Sequence, residues 1–307
     1  MRVLFFGTPE FAVPSLRALV GEGFDVAAVV TRPDRPTGRH RSHASASAVK
    51  TAALAEDLPV LQPDRPSAPE FVATVRELAP EIAIVAAYGH ILATALLDVP
   101  RLGSVNVHAS LLPALRGAAP IQRAILEGRT ETGITIMRMD AGMDTGPILH
   151  QVTTPIAEDE TGGELTVRLA ELGAEALIEA LTLIEETGLA PTPQDHASAT
   201  LAPKIKREEE RLDWRCPAEV VARKIRAFDP KPGAWTTCRA KELKLFGGRA
   251  EPASGEPGRV LEAGDVLRVA CATGAVAATE VQPAGRARMA ARAFVNGRGV
   301  AAGDVLT

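Results

Sequence analysis

The chain has 307 residues, about twice the roughly 100 to 200 of an ordinary domain, so two domains are expected. With 46% apolar and 23% charged residues it is globular in composition, which excludes disordered and fibrous classes, and 4% aromatics leave alanine, valine and leucine to build the core. The net charge of -4 hides a division: residues 1–200 carry 15 basic and 25 acidic side chains, whereas residues 201–307 carry 19 and 13, a basic part suited to a polyanion.

Arg2 to Phe6 reads as a buried strand ending at Gly7, Thr8 and Pro9, after which Phe11, Pro14, Leu16, Leu19 and Val20 suit a helix laid on a sheet. The N-terminus lacks a basic flank with a long apolar stretch, and no run approaches the roughly 18 apolar residues that cross a bilayer, so a cytosolic protein is expected, with no membrane partner. Val26 to Val30 is a second strand. A single glycine in the first turn, and Thr31 and Arg32 where an acidic ribose partner belongs, set aside dinucleotide binding. From Arg32 to Lys50 five basic residues (Arg32, Arg35, Arg39, Arg41, Lys50) stand against Asp34, with Pro33, Pro36 and Gly38 breaking regular structure, which predicts a basic surface loop.

Glu81 to Ala87 and Leu102 to Val107 add two strands, separated by lengths that suit crossover helices. This alternation predicts an α/β fold with a doubly wound, mostly parallel sheet, whose ligands lie beyond the carboxyl ends of the strands. Ile134 to Met139 is a further strand. Thr161 and Glu164 have capping-box spacing ahead of an amphipathic helix through Leu183 that Gly188 stops. Leu189 to Pro203, with Pro191, Pro193 and Pro203, reads as an extended inter-domain linker. One short helix over Val220 to Phe228 and five glycine-broken strand pieces then suggest a small barrel. Three single cysteines and six scattered histidines give no disulfide framework and no metal-ligand spacing, so no metal is expected.

Chemistry concentrates in Gly103 to Pro113. In a strand Asn106 and His108 share one face while Val105 and Val107 take the other, so an amide donor and an imidazole leave the sheet end together. The first can bond a developing oxyanion and the second can move a proton. Downstream, Asp140 to Gly146 forms a glycine-framed loop with two carboxylates, Asp140 and Asp144, one of which can orient His108. Ser110 lies in no Gly-x-Ser-x-Gly elbow, so serine hydrolysis is not indicated.

Taken with Phe6-Gly7-Thr8-Pro9-Glu10-Phe11, Arg32 to Arg39, Ser110-Leu111-Leu112-Pro113, Arg116 to Gln122, Met139 to Gly146, Arg226 to Trp235 and Gln282-Pro283-Ala284-Gly285, these residues make the chain resemble the methionyl-tRNA formyltransferase family from Met1 to about Gly297. The resemblance implies a Rossmann-like catalytic domain over 1–189, a linker over 190–207 and an OB-like β-barrel tRNA-binding domain over 208–307. It implies formyl transfer from 10-formyltetrahydrofolate, as cosubstrate, to the α-amino group of methionyl initiator tRNA by a monomer. Asn106, His108 and Asp144 match the family's catalytic trio, and Ser110, Leu111, Leu112 and Pro113 its folate-binding segment. Arg39, Arg41, Lys204, Lys206 and Arg207 are the residues expected to meet tRNA. Two departures stand out: Arg39 to Ser45 holds histidines where the family commonly has lysines, and Ala114 and Leu115 replace a basic or aromatic pair. Formylation of a small amine would share the first domain but has no need of a basic barrel.

Overall fold

The computed structural model describes residues 1–37, 43–188 and 190–307. The first part alternates strands and helices: β1 (Arg2–Gly7), α1 (Val13–Gly21), β2 (Asp25–Val30), the short β3 (Arg35–Thr37) and β4 (His43–Ser45), α2 (Ala48–Ala55), β5 (Val60–Leu61), α3 (Pro69–Leu78), β6 (Ile82–Ala86), α4 (Thr94–Leu97) and β7 (Ser104–His108). Then follow α5 (Pro120–Leu126), β8 (Glu131–Arg138), β9 (Ile148–Pro155) and the long α6 (Gly162–Thr187).

Seven strands form one sheet in the order β5-β2-β1-β6-β7-β8-β9. Pairings from β5 to β7 are parallel, and β8 runs antiparallel to β7. The chain winds outward from β1 to β5 and then the other way from β6, the arrangement that opens a ligand crevice at the carboxyl ends of the strands. Central strands buried on both faces explain the unbroken apolar runs Val3 to Phe6 and Ile82 to Ala86. Leu4, Phe6, Val30, Val75 and Val85 pack in one cluster, each burial contributing about 1.5–3 kcal/mol, so Leu4→Ala costs about 2–5 kcal/mol.

The capping box of α6 is formed: Thr161 Oγ1 accepts the Glu164 N–H at 3.2 Å and Glu164 Oε2 accepts the Thr161 N–H at 2.9 Å. The helix buries Leu165, Leu169, Leu177 and Leu181. A Cβ on Gly173 would lie 3.0 Å from Val107 Cγ1, so α6 lies close against the face that Val107 presents. Alternation along β7 then directs Asn106 and His108 away from that helix.

After residue 207 come α7 (Ala218–Ala227), β10 (Ala234–Cys238), β11 (Lys241–Glu251), β12 (Val260–Ala263), β13 (Leu267–Ala270), β14 (Ala275–Pro283), β15 (Met289–Ala290) and α8 (Ala291–Asn296). The strands pair antiparallel in the order β10-β11-β14-β13-β12, with β15 also on β14. The two outer strands are joined through the last residues of the chain. Thr307 exchanges backbone bonds with Thr237 of β10 at 2.7 and 3.0 Å, while Asp304 O accepts from Val260 of β12 and Leu306 N–H donates to Gly258, each at 2.8 Å. This bridging closes the sheet as the expected barrel requires. Cys238 and Cys271 are buried, and burial pushes the Cys271 thiol up to about 11.

The compact units do not follow one cut along the chain. Residues 1–117, 132–154 and 166–201 form the first, and 118–131, 155–165 and 202–307 the second. The last change of unit, at Leu201/Ala202, falls inside the stretch expected to link two domains. No helix among the described residues is long and apolar enough to cross a membrane.

Candidate active site

β7 carries Asn106 and His108 to its carboxyl end, and the loop after β8 brings Asp144 to meet them. Asn106 Nδ2 donates to Asp144 Oδ1 over a long 3.5 Å, and His108 Nδ1 lies 3.7 Å from Asp144 Oδ2. Asp144 Oδ2 also accepts the Gly117 N–H at 2.8 Å. On its other side the imidazole Nε2 is 3.1 Å from the Leu115 carbonyl, so it donates there. That bond assigns the neutral ring's lone pair to Nδ1, the nitrogen that faces Asp144. His108 is buried, with 5% exposure, while Asn106 and Asp144 are half-buried.

The loop chemistry separates the two candidate carboxylates. Asp140 Oδ1 accepts from the Gly142 N–H at 2.9 Å and from Thr145 Oγ1 at 2.7 Å, a local Asx-type turn that uses this group within the loop. Asp144 sits at φ 53, a left-handed conformation that Asp tolerates better than most residues, and this turns its carboxylate toward β7. Glycine is required on both sides. A Cβ at Gly142 would lie 1.9 Å from Thr145 Oγ1, and one at Gly146 would lie 1.9 Å from the Arg138 carbonyl.

The proline-containing stretch after α6 holds this arrangement in place. Thr192 exchanges two backbone bonds with Ile148, both 2.8 Å. Gln194, buried, donates to the carbonyls of Asp144 at 2.9 Å and Gly146 at 2.6 Å. Its Oε1 accepts from Arg116 Nε at 3.0 Å and Nη2 at 2.5 Å. Thr200 accepts the Leu115 N–H on its hydroxyl and the Arg116 N–H on its carbonyl, each at 2.9 Å. Reading these residues as linker missed Gln194 and Thr200. Their spacing carries no motif, and only the folded arrangement reveals them.

Ser110 to Pro113, expected to hold folate, is tied into the protein. Ser110 Oγ donates to the Ala114 carbonyl at 2.6 Å, and Thr135 Oγ1 donates to the Ser110 carbonyl at 2.6 Å while accepting the Leu112 N–H at 3.0 Å. Gln151 Nε2 donates to the Leu112 carbonyl at 2.9 Å and to Thr135 Oγ1 at 2.8 Å. Leu111 and Pro113 are half-buried, whereas Ser110 and Leu112 are buried. Near the carboxyl end of β6, Tyr88 packs edge-on to Phe6, and its buried Oη has no partner among the described residues. Burial pushes that phenol up to about 12.

Of the residues expected to meet tRNA, Arg39 and Arg41 lie outside the described residues. The stretch expected as an irregular basic loop is partly regular: β3 pairs antiparallel with β4, Pro36 opposite Ala44, and Lys50 lies in α2. Lys50 Nζ donates to Asp34 at 2.7 Å and to Gln62 Oε1 at 2.8 Å, and Gln62 Nε2 donates to Asp34 Oδ1 at 2.7 Å. Lys204 and Lys206 are exposed and carry no ion pair among the described residues, whereas Arg207 is paired with Glu210 at 2.5 Å and with Glu242.

A formyl transferase domain matches residues 1–181 and a formyl transferase C-terminal domain matches residues 204–299. Methionyl-tRNA formyltransferase of Thiobacillus denitrificans is 50% identical over 100% of this chain and 99% of its own length. The enzyme of the same name from Pelobacter propionicus is 47% identical over 99% and 95%. HypX from Aquifex aeolicus, solved in complex with tetrahydrofolic acid, superposes with a TM-score of 0.69 at 22% identity over 97% of this chain and 47% of that longer one, a likeness of fold. With both domain models matched in order and relatives alike from end to end, the chain belongs to the formyl transferase family, beside its methionyl-tRNA formyltransferases.

Proposed function

We propose that the protein transfers the formyl group of 10-formyltetrahydrofolate to the α-amino group of methionine carried by initiator tRNA, in the cytosol. The reading is carried by the Asn106, His108 and Asp144 trio at the end of β7, in a chain alike over its full length to relatives named for this reaction. When bound, 10-formyltetrahydrofolate supplies the formyl carbon and keeps its N10, which takes up a proton. The polar valences at the trio fit such a ligand: among the described residues Asn106 Nδ2 has only its long bond to Asp144, and His108 Nδ1 is beyond hydrogen-bond distance from the same carboxylate.

Asn106 donates to the formyl oxygen and gains strength as negative charge grows there, so its contribution belongs to the transition state. His108, with Nε2 committed to the Leu115 carbonyl, handles the proton at Nδ1: it accepts one from the attacking amine and delivers one toward N10. Asp144, fixed by the Gly117 N–H, faces the imidazolium during that exchange and balances its charge. One carbon–nitrogen bond forms as another breaks and one proton moves, so no side chain needs to become a covalent carrier. Leu111 and Pro113 line the folate side, and Lys204, Lys206, Arg39 and Arg41 approach tRNA phosphates.

The test is incubation of the purified protein with methionyl initiator tRNA and 10-formyltetrahydrofolate, followed by acid-gel or mass analysis of the esterified amino acid. N-formylmethionyl ester is the expected product. An unmodified ester, with the formyl group delivered to a small amine instead, refutes the reading.

A further inference from the structure

The basic second unit holds a pocket of about 360 Å³ that the transfer chemistry does not use. It is walled by the β10–β11 turn, the turn between β14 and β15, and α8. Buried Leu243 and half-buried Met289 and Phe294 give it an apolar floor. Lys241, Arg286 and Arg298 stand exposed around the opening, and none has an ion-pair partner among the described residues. The carboxylate lining it, Glu242, is already taken by Arg207. Phe294 brings an aromatic ring to the lining, held so close over Gly299 that a Cβ there would be 2.2 Å from Cε2.

An apolar slot with an aromatic wall and unpaired cations at its mouth matches a ligand that is flat and heteroaromatic at one end and anionic at the other. Aromatic stacking with flanking positive charge is how proteins hold unpaired nucleotides. An acidic peptide would supply the charge but leave the aromatic wall unused. We propose that this pocket takes one unpaired nucleotide of RNA, its base against Phe294 and Met289 and its phosphates at Lys241, Arg286 and Arg298. The proposal rests on the reading of the protein as acting on tRNA, and adds base capture at a place remote in sequence from Asn106 and His108.

Two experiments on the full chain test it. In the first, the Met289 methyl resonance is followed by NMR as nucleoside 5′-monophosphates, inorganic phosphate or hexaglutamate is added. Movement with the nucleotides alone supports the proposal, whereas movement with hexaglutamate alone, with phosphate as strongly as with nucleotide, or with none of them overturns it. In the second, Phe294→Ala should weaken methionyl-tRNA binding about 5- to 150-fold without changing its salt dependence. Arg286→Ala should flatten the slope of log K against log salt by about 0.7. Both should keep the rate at saturating tRNA and the KM for the folate donor. If Phe294→Ala lowers the unfolding midpoint, Gly299→Ala, which displaces the ring, and Lys241→Ala carry the test. Unchanged tRNA affinity in all these variants overturns the pocket while leaving the transfer reading intact, and a wild-type protein that formylates no methionyl-tRNA overturns the transfer reading, with the NMR titration judging the pocket separately.

Discussion

Asp144 in the first unit and Asp229 in the second are both largely shielded from solvent, and they differ in how fully they are paired. Asp229, 5% exposed, accepts from Arg288 Nη1 at 2.6 Å, from Nη2 at 3.4 Å and from the Gly247 N–H at 3.1 Å. Arg288 is in turn bonded to Glu280 at 2.5 Å and lies 4.1 Å over the Phe246 ring. Among the described residues Asp144 has one short bond, from the Gly117 N–H, and turns its remaining capacity toward Asn106 Nδ2 and His108 Nδ1. A carboxylate whose lone pairs the chain fills holds the fold. One left facing an under-satisfied amide donor and an imidazole lone pair has capacity for something that arrives later.

The largest expected effect follows from breaking the open constellation. Asn106→Ala should slow formyl transfer about 100- to 1,000-fold, the usual consequence of removing an oxyanion donor, with the KM for the folate donor changing far less. Single-turnover rates check this, and a variant retaining half the wild-type rate ends the oxyanion role. The closed constellation should respond instead in stability. Arg288→Met keeps much of the packing on Phe246 but strands the Asp229 carboxylate on a single N–H. Removing one partner of a buried pair costs about 3–5 kcal/mol, and with Arg288 roughly a third exposed about 2–3 kcal/mol is expected here. Denaturant unfolding reads the loss, and the transfer rate per folded molecule should stay as it was.

How far this contrast is legible in sequence depends on the kind of interaction. Arg2 to Phe6, Val26 to Val30 and Ile82 to Ala86 announce a buried parallel sheet because both faces are covered and nearly every residue must be apolar. Asn106 and His108 are legible because alternation is a local rule. β9 is not picked out: Ile148–Pro155 is half-exposed and mixes His150, Gln151, Thr153 and Thr154 with its apolar residues. Which carboxylate of the loop turns to His108 is not legible from its spacing, and only the family resemblance singles out Asp144. Asp140 and Asp144 look alike until hydrogen bonds show one closing its own loop. The partners of His108 and Asp144 include a Leu115 carbonyl and a Gly117 N–H, backbone groups that side-chain identity does not report.

Gln194 stands between the two kinds of group, because its own amide is paired while it holds the backbone on which Asp144 is carried. Its amide fixes the backbone carbonyls of Asp144 and Gly146, and its oxygen accepts two bonds from the buried Arg116. Gln194→Leu strands the two carbonyls and leaves the Arg116 guanidinium, among the described residues, only its Nη2 contact with His196 Nδ1 at 3.1 Å, costing about 1–3 kcal/mol of stability, and lets Asp144 drift. Loss of positioning should lower kcat about tenfold, with the KM for methionyl-tRNA nearly unchanged. Gln194→Glu, which keeps the acceptor for Arg116 but loses the amide donors, separates the contributions: stability should recover more than rate. Equal recovery of both would make Gln194 a structural residue only.

The smallest effect concerns cations that sequence alone treats as equivalent. Lys204 and Lys206 are exposed without ion pairs among the described residues, whereas Arg207 is tied to Glu210 and Glu242 and lies over the Trp235 ring at 4.9 Å. A phosphate gains most from a cation that has no carboxylate to give up, since only then does its approach release counterions without breaking an existing pair. Replacing Lys204 and Lys206 with alanine should therefore flatten the salt dependence of methionyl-tRNA binding by about 0.7 to 0.9 log units for each phosphate left without its cation. Arg207→Ala should leave the slope almost unchanged and lower stability by about 1 kcal/mol, because Arg207 is itself exposed although its partner Glu210 is buried. Binding isotherms at several salt concentrations decide the matter: if Arg207→Ala flattens the slope as much as removal of a lysine does, its ion pairs open when tRNA binds, and pairing in the free protein no longer tells a structural cation from a binding one.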